Sequence, residues 1–84
     1  IVNPLVHTVL HVRVDQQIFM ENPPFVLETK SRLEKSGMDS HEALHAIIKE
    51  YADIYFDNFR KDRGFDQLAY HNRLKNLNFR KTEE

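Results

Sequence analysis

Apolar side chains between Leu44 and Phe59 recur in steps of four and three, the spacing that gathers residues on one side of a helix. His41, His45, Ile48, Ala52, Tyr55 and Phe59 make one stripe, and Leu44, Ile47, Tyr51 and Ile54 make the stripe beside it. The segment therefore reads as a long helix with a wide buried face, its aromatic residues Tyr51, Tyr55, Phe56 and Phe59 filling the core. Asp39 stands at its N-cap with Glu42 three positions on, the spacing of a capping box, and Gly64 marks its end. Upstream, Phe25, Thr29 and Leu33 mark the inner face of a shorter helix from about Pro24 to Ser36, with Gly37 as a left-handed stop. The opening segment is ambiguous. Val6, Thr8, Leu10, Val12 and Val14 alternate with His7, Val9, His11, Arg13 and Asp15, as a strand would also have them. A helix is favoured by the capping pair Asn3-Pro4, by Gln16 and Gln17, and by a length to about Glu21 that exceeds an ordinary strand. Asn22-Pro23-Pro24 then breaks the chain, because each proline pushes its predecessor out of helical geometry. A fourth helix from about Asp66 to Phe79 presents Leu68, Leu74 and Leu77. The pattern predicts an all-α fold, a small bundle of three to four helices.

Length and composition narrow the chemistry. At 84 residues the chain is expected to be a single helical domain spanning 1–84, and its start at Ile1 suggests that an upstream N-terminal segment is missing. With no cysteine, disulfides, thiolate metal sites and thiol nucleophiles are excluded, and any metal must rely on imidazole, carboxylate or water. No apolar run is long enough to span a bilayer and no leader precedes Asn3, so a cytoplasmic location without membrane association is the expectation. The net charge of −1 conceals an asymmetry: residues 1–59 carry five Lys/Arg against nine Asp/Glu, and residues 60–81 carry seven against two. Arg60, Lys61, Arg63, Arg73, Lys75, Arg80 and Lys81, interleaved with Phe65, Tyr70 and Phe79, invite a nucleic-acid reading. The stronger reading is a set of helix ends whose cations complement the dipole.

Four of the five histidines form two pairs at helical spacing, His7/His11 and His41/His45. His41-Glu42-Ala43-Leu44-His45 is also an H-E-x-x-H sequence, the arrangement in which a helix presents two imidazoles to zinc and a glutamate to water. If helices one and three run parallel, the pairs differ in height by roughly two residues, about 3 Å at 1.5 Å per residue, and both can face one point. His7, His11, His41 and His45 are therefore the candidate ligands of one divalent metal, zinc first. Asp15 and Gln17 are candidate outer partners that orient a ring, although the stronger reading of both is a solvated surface residue. Glu42 is the candidate catalytic base of a metal-dependent hydrolase, although the capping box alone accounts for it. Position 48 is isoleucine and position 51 tyrosine where an extended zinc-protease pattern needs glycine and histidine. His71 has no partner at helical spacing and reads as a surface residue. The competing class is a metal-free interaction module that docks a partner through the basic C-terminal helix, with a homo-oligomer or a protein partner both left open.

Asn3-Pro4-Leu5-Val6-His7-Thr8-Val9-Leu10-His11, Gln17, Pro23-Pro24 and His41-Glu42-Ala43-Leu44-His45-Ala46-Ile47 together resemble a short bacterial helical family, domain of unknown function 1841. The likeness covers residues 3–60. It carries over Asn3, Pro4, His7, His11, Gln17, His41, Glu42 and His45, with Asp15 and Asp53 where the family pattern suggests glutamate and Lys49 where it suggests an acid. The resemblance implies a mostly helical fold with a further N-terminal segment, and no activity, substrate or cofactor.

Overall fold

A computed structural model describes residues 4–62 and 64–78, and among them every regular element is a helix. These are α1 (Pro4–Met20), α2 (Pro24–Lys35), α3 (Ser40–Arg60) and α4 (Gln67–Lys75). None of them is long and apolar enough to cross a membrane. Asn3, the expected first cap, lies outside the described residues, as do Arg63, Phe79, Arg80 and Lys81.

The helix ends follow the local chemistry of the sequence. Gly37, at φ 115, closes α2: the Met38 N–H donates to the Leu33 carbonyl at 3.0 Å and the Gly37 N–H to the Glu34 carbonyl at 3.1 Å. This is the paired bond pattern of a Schellman stop. The same stop ends α1 with a side chain in the left-handed position, Glu21 at φ 54, where Asn22 donates to Gln17 and Glu21 to Ile18. α3 ends at Arg60, and Asp62 at φ 55 takes the left-handed position expected of Gly64, which lies beyond the turn. Asp66 caps α4 through a 3.0 Å bond from the Ala69 N–H. That helix ends at Lys75, short of the expected Phe79, with the Arg32 guanidinium donating to the Leu74 carbonyl at 2.8 Å and to Asn78 at 3.2 Å. A cation there satisfies a free carbonyl and complements the negative end of the helix dipole.

The core joins Leu10 and Val14 of α1, Val26 and Leu33 of α2, Ile47, Ile48, Tyr51 and Ile54 of α3, and Tyr70 and Leu74 of α4. Thr29 is buried as expected and bonds its own helix at the Phe25 carbonyl, 2.7 Å away. Three sequence expectations are corrected. The inner face of α3 runs through Ala43, Ile47, Tyr51, Ile54 and Asn58, so His41 and His45 are exposed and the rings of Tyr55 and Phe59 reach solvent, 42% and 75% exposed. On α4 the buried residues are Tyr70 and Leu74, with Leu68 turned outward at 69% exposure. Finally, α1 does not run level with α3. One flank of α1, His7 and His11, meets His45 near the start of α3, while the other, Leu5 and Val9, meets Tyr55 and Phe59 towards its end. His45 and Tyr55 stand about 15 Å apart along the helix axis, so a rod touching both from opposite flanks at one height lies across α3.

Tyr70 ties α4 to α1, its hydroxyl donating to Gln17 Oε1 at 2.8 Å from a fully buried ring. Burial, and then the neighbouring Tyr51, push the phenol pKa upward. A group whose folded pKa lies above its unfolded value stabilises fully below the unfolded value, about 10 for tyrosine, and the contribution is lost as pH rises through the folded value. Melting temperature is therefore expected to fall above about pH 10, and Tyr70→Phe to flatten part of that decline. At neutral pH the same variant should lose about 1 kcal/mol through the missing hydrogen bond, read by thermal unfolding monitored by circular dichroism.

Candidate metal centre

The two histidine pairs are brought together by the crossing of α1 over α3. Side chains at i and i+4 share one helix face, so His7 and His11 form one row and His41 and His45 another. His45 sits at the junction. Its ring centroid lies 6.2 Å from that of His7, 5.5 Å from that of His11 and 4.1 Å from that of His41. The rings of His7 and His11 are 5.9 Å apart. The three rings of His7, His11 and His45 thus form a nearly equilateral triangle with steep interplanar angles of 68°, 84° and 88°. His41 extends the row beyond the triangle and stacks obliquely on His45 at 46°.

The surroundings favour neutral imidazole at the junction. Partial desolvation, followed by the nearby rings of His41, His11 and His7, holds the His45 pKa below its ordinary value of 6.5. Asp15 accepts from Nδ1 of His11 at 3.2 Å. With that nitrogen engaged, the tautomer leaves Nε2 as the lone-pair donor. Gln17 does not join the site, because its side chain is occupied by the Tyr70 hydroxyl. Among the described residues, no three His, Asp or Glu side chains are arranged as ligands around one point. The imidazoles are neighbours, and their nitrogens do not converge on one point.

Glu42 takes part in the cap of α3. Asp39 accepts the His41 N–H at 3.0 Å and donates its own N–H to Glu42 Oε1 at 3.4 Å, completing the capping box that the spacing predicts. His71 is exposed, and its ring stacks on Phe25 at 4.3 Å and 7°. In the basic C-terminal part, Arg60 and Lys61 share Asp57 at 3.4 and 3.3 Å, and Arg73 bridges Glu50 and Asp53 at 2.9 and 3.6 Å. Tyr70 is buried, and Phe65 packs on Tyr51 and Tyr70, so these two aromatics belong to the core.

Sequence reasoning missed a second feature, an apolar groove of about 320 Å³ between the other flank of α1 and the end of α3. Leu5, Val9, Tyr55 and Phe59 are among its lining residues. The signal was present in the valines that alternate with the histidines. No curated protein and no solved structure matches the chain. A family model does, over residues 1–76, which extends past the segment that carries the resemblance and takes in α4. The chain belongs to the family described as domain of unknown function (DUF1841).

Proposed function

We propose that this protein binds one divalent metal ion, zinc first, through His7, His11 and His45, with His41 as the fourth ligand within reach. The observation that carries the reading is the triangle of rings from two helices at 5.5 to 6.2 Å. Imidazole nitrogens at 2.0–2.1 Å from a tetrahedral zinc would put ring centres roughly 5 Å apart, so side-chain rotation and shifts of about an ångström suffice to close the set. The depressed His45 pKa supplies the neutral form that coordination needs, and the Asp15 bond to His11 supplies the outer partner that metal-bound histidines usually have. The engagement of Glu42 in the helix cap favours a binding or stabilising metal over a hydrolytic one.

Metal content of protein prepared without a histidine tag, together with melting curves in chelator and in added zinc, tests the reading. One zinc per chain is expected. At free zinc about a hundredfold above Kd the folded state gains about 2.7 kcal/mol, a rise of roughly 10–20 °C for a domain of this size. Because the ligands must be deprotonated, the rise should shrink as pH falls below about 6.5. Absence of stoichiometric metal with identical melting curves in chelator and zinc would reject the proposal.

A further inference from the structure

α1 carries two apolar faces. Leu10 and Val14 point into the core. At 100° per residue, Val9, Val12, Gln16 and Phe19 lie nearly opposite, in steps of three, four and three that form the seam of a heptad. Phe19 is 88% exposed, Met20 lies beside it, and Val9 and Val12 are about half exposed. A helix that is apolar on both sides belongs between two layers of protein. With roughly 200 Å² for a fully exposed large side chain, Val9, Val12, Phe19, Met20, Tyr55 and Phe59 present on the order of 700 Å². That exceeds the roughly 300–600 Å² apolar patch usual on monomers, and approaches the about 800 Å² that each partner gives to a specific interface.

We infer that this face pairs with the same face of a second copy of the chain, the two α1 helices running antiparallel. The shape of the face selects the direction. The protruding Phe19 and Met20 stand at the C-terminal end of α1, and the groove beside Val9 opens near its N-terminal end. Antiparallel packing centred near the level of residue 14 puts Phe19 opposite the partner's Val9, and Val12 opposite the partner's Gln16. Each aromatic knob then meets the other copy's groove, twice over, as two-fold symmetry requires. Parallel packing would set knob against knob and leave both grooves open. Within the seam the side chains carry no charge, and Arg13 lies at its edge, the arrangement of an apolar core with a polar rim.

Sedimentation equilibrium in chelator, which removes any metal-bridged association, tests this. The wild-type chain is expected to be a dimer at tens of micromolar, and Phe19→Glu a folded monomer with an unchanged helical spectrum and an apparent Kd at least 100-fold weaker. Since the chain has no cysteine, direction can be read by disulfide trapping. A mixture of Val9→Cys and Phe19→Cys chains should cross-link heterotypically at least tenfold faster than Phe19→Cys alone. A wild-type monomer at 100 micromolar, a dimer indifferent to Phe19→Glu, or faster self-linking of Phe19→Cys would each overturn the proposal, the first assigning the face to another occupant.

Discussion

Replacing His45 with alanine should weaken zinc binding at least about 100-fold, whereas His41→Ala, which leaves His7, His11 and His45 in place, should weaken it less than His45→Ala does. His45 alone touches all three of the other rings, and without it His7 and His11 remain as a bare pair on one helix. His41 lies near His45 only, at the outer end of the row. A change in an outer partner of a metal ligand typically costs 10–100-fold, so losing a central ligand exceeds that range, and Asp15→Ala should fall near its lower end because that carboxylate is half exposed. Isothermal titration with zinc distinguishes the three variants. Equal affinity of His45→Ala and wild type would end the case for this centre. All the substituted side chains are at least partly exposed, so the fold should survive each change, with differences of about 0.5 kcal/mol in the absence of metal.

The largest effect on stability is expected in α4. Leu74 is fully buried and lies where α2, α3 and α4 meet, so Leu74→Ala loses both transfer energy and packing, about 3 kcal/mol. At 4–8 °C per kcal/mol the melting temperature should drop by roughly 12–24 °C. Leu68→Ala, six residues earlier in the same helix, should shift it by no more than about 0.5 kcal/mol, because that side chain is largely in solvent. Thermal and urea unfolding of the two variants reads the difference. Similar losses from both would mean that α4 turns a different face to the core, one that buries Leu68 as well as Leu74.

The contrast between those two leucines shows where the sequence was readable. Turn chemistry announced the helices: Asp39 with Glu42 opens α3 and Gly37 closes α2, each through bonds that only nearby residues make. Helix faces were harder. Tyr55 and Phe59 fit the heptad arithmetic of α3 as well as Tyr51 does, and periodicity cannot state which of two adjacent stripes a neighbour will cover. α3 stops before Gly64 because Asp62 adopts the left-handed turn that glycine usually supplies. In α1, apolar residues on both faces blurred the helical period into strand-like alternation. The histidine cluster was legible as two i, i+4 pairs, yet the route to it was not. The pairs meet because α1 crosses α3, an arrangement set by long-range packing, and parallel helices at matching heights were not needed.

α4, with nine residues, is shorter than any helix that persists by itself in water. Its backbone order therefore depends on its attachments to the other helices, among them the Arg32 grip on its last turn, the Tyr70 bond to Gln17, the Arg73 bridge to Glu50 and the seating of Leu74. In consequence the final stretch works as a stopper: were it to swing away, the core would lose the fully buried Tyr70 and Leu74, and the apolar side chains of the other helices packed against them would meet water.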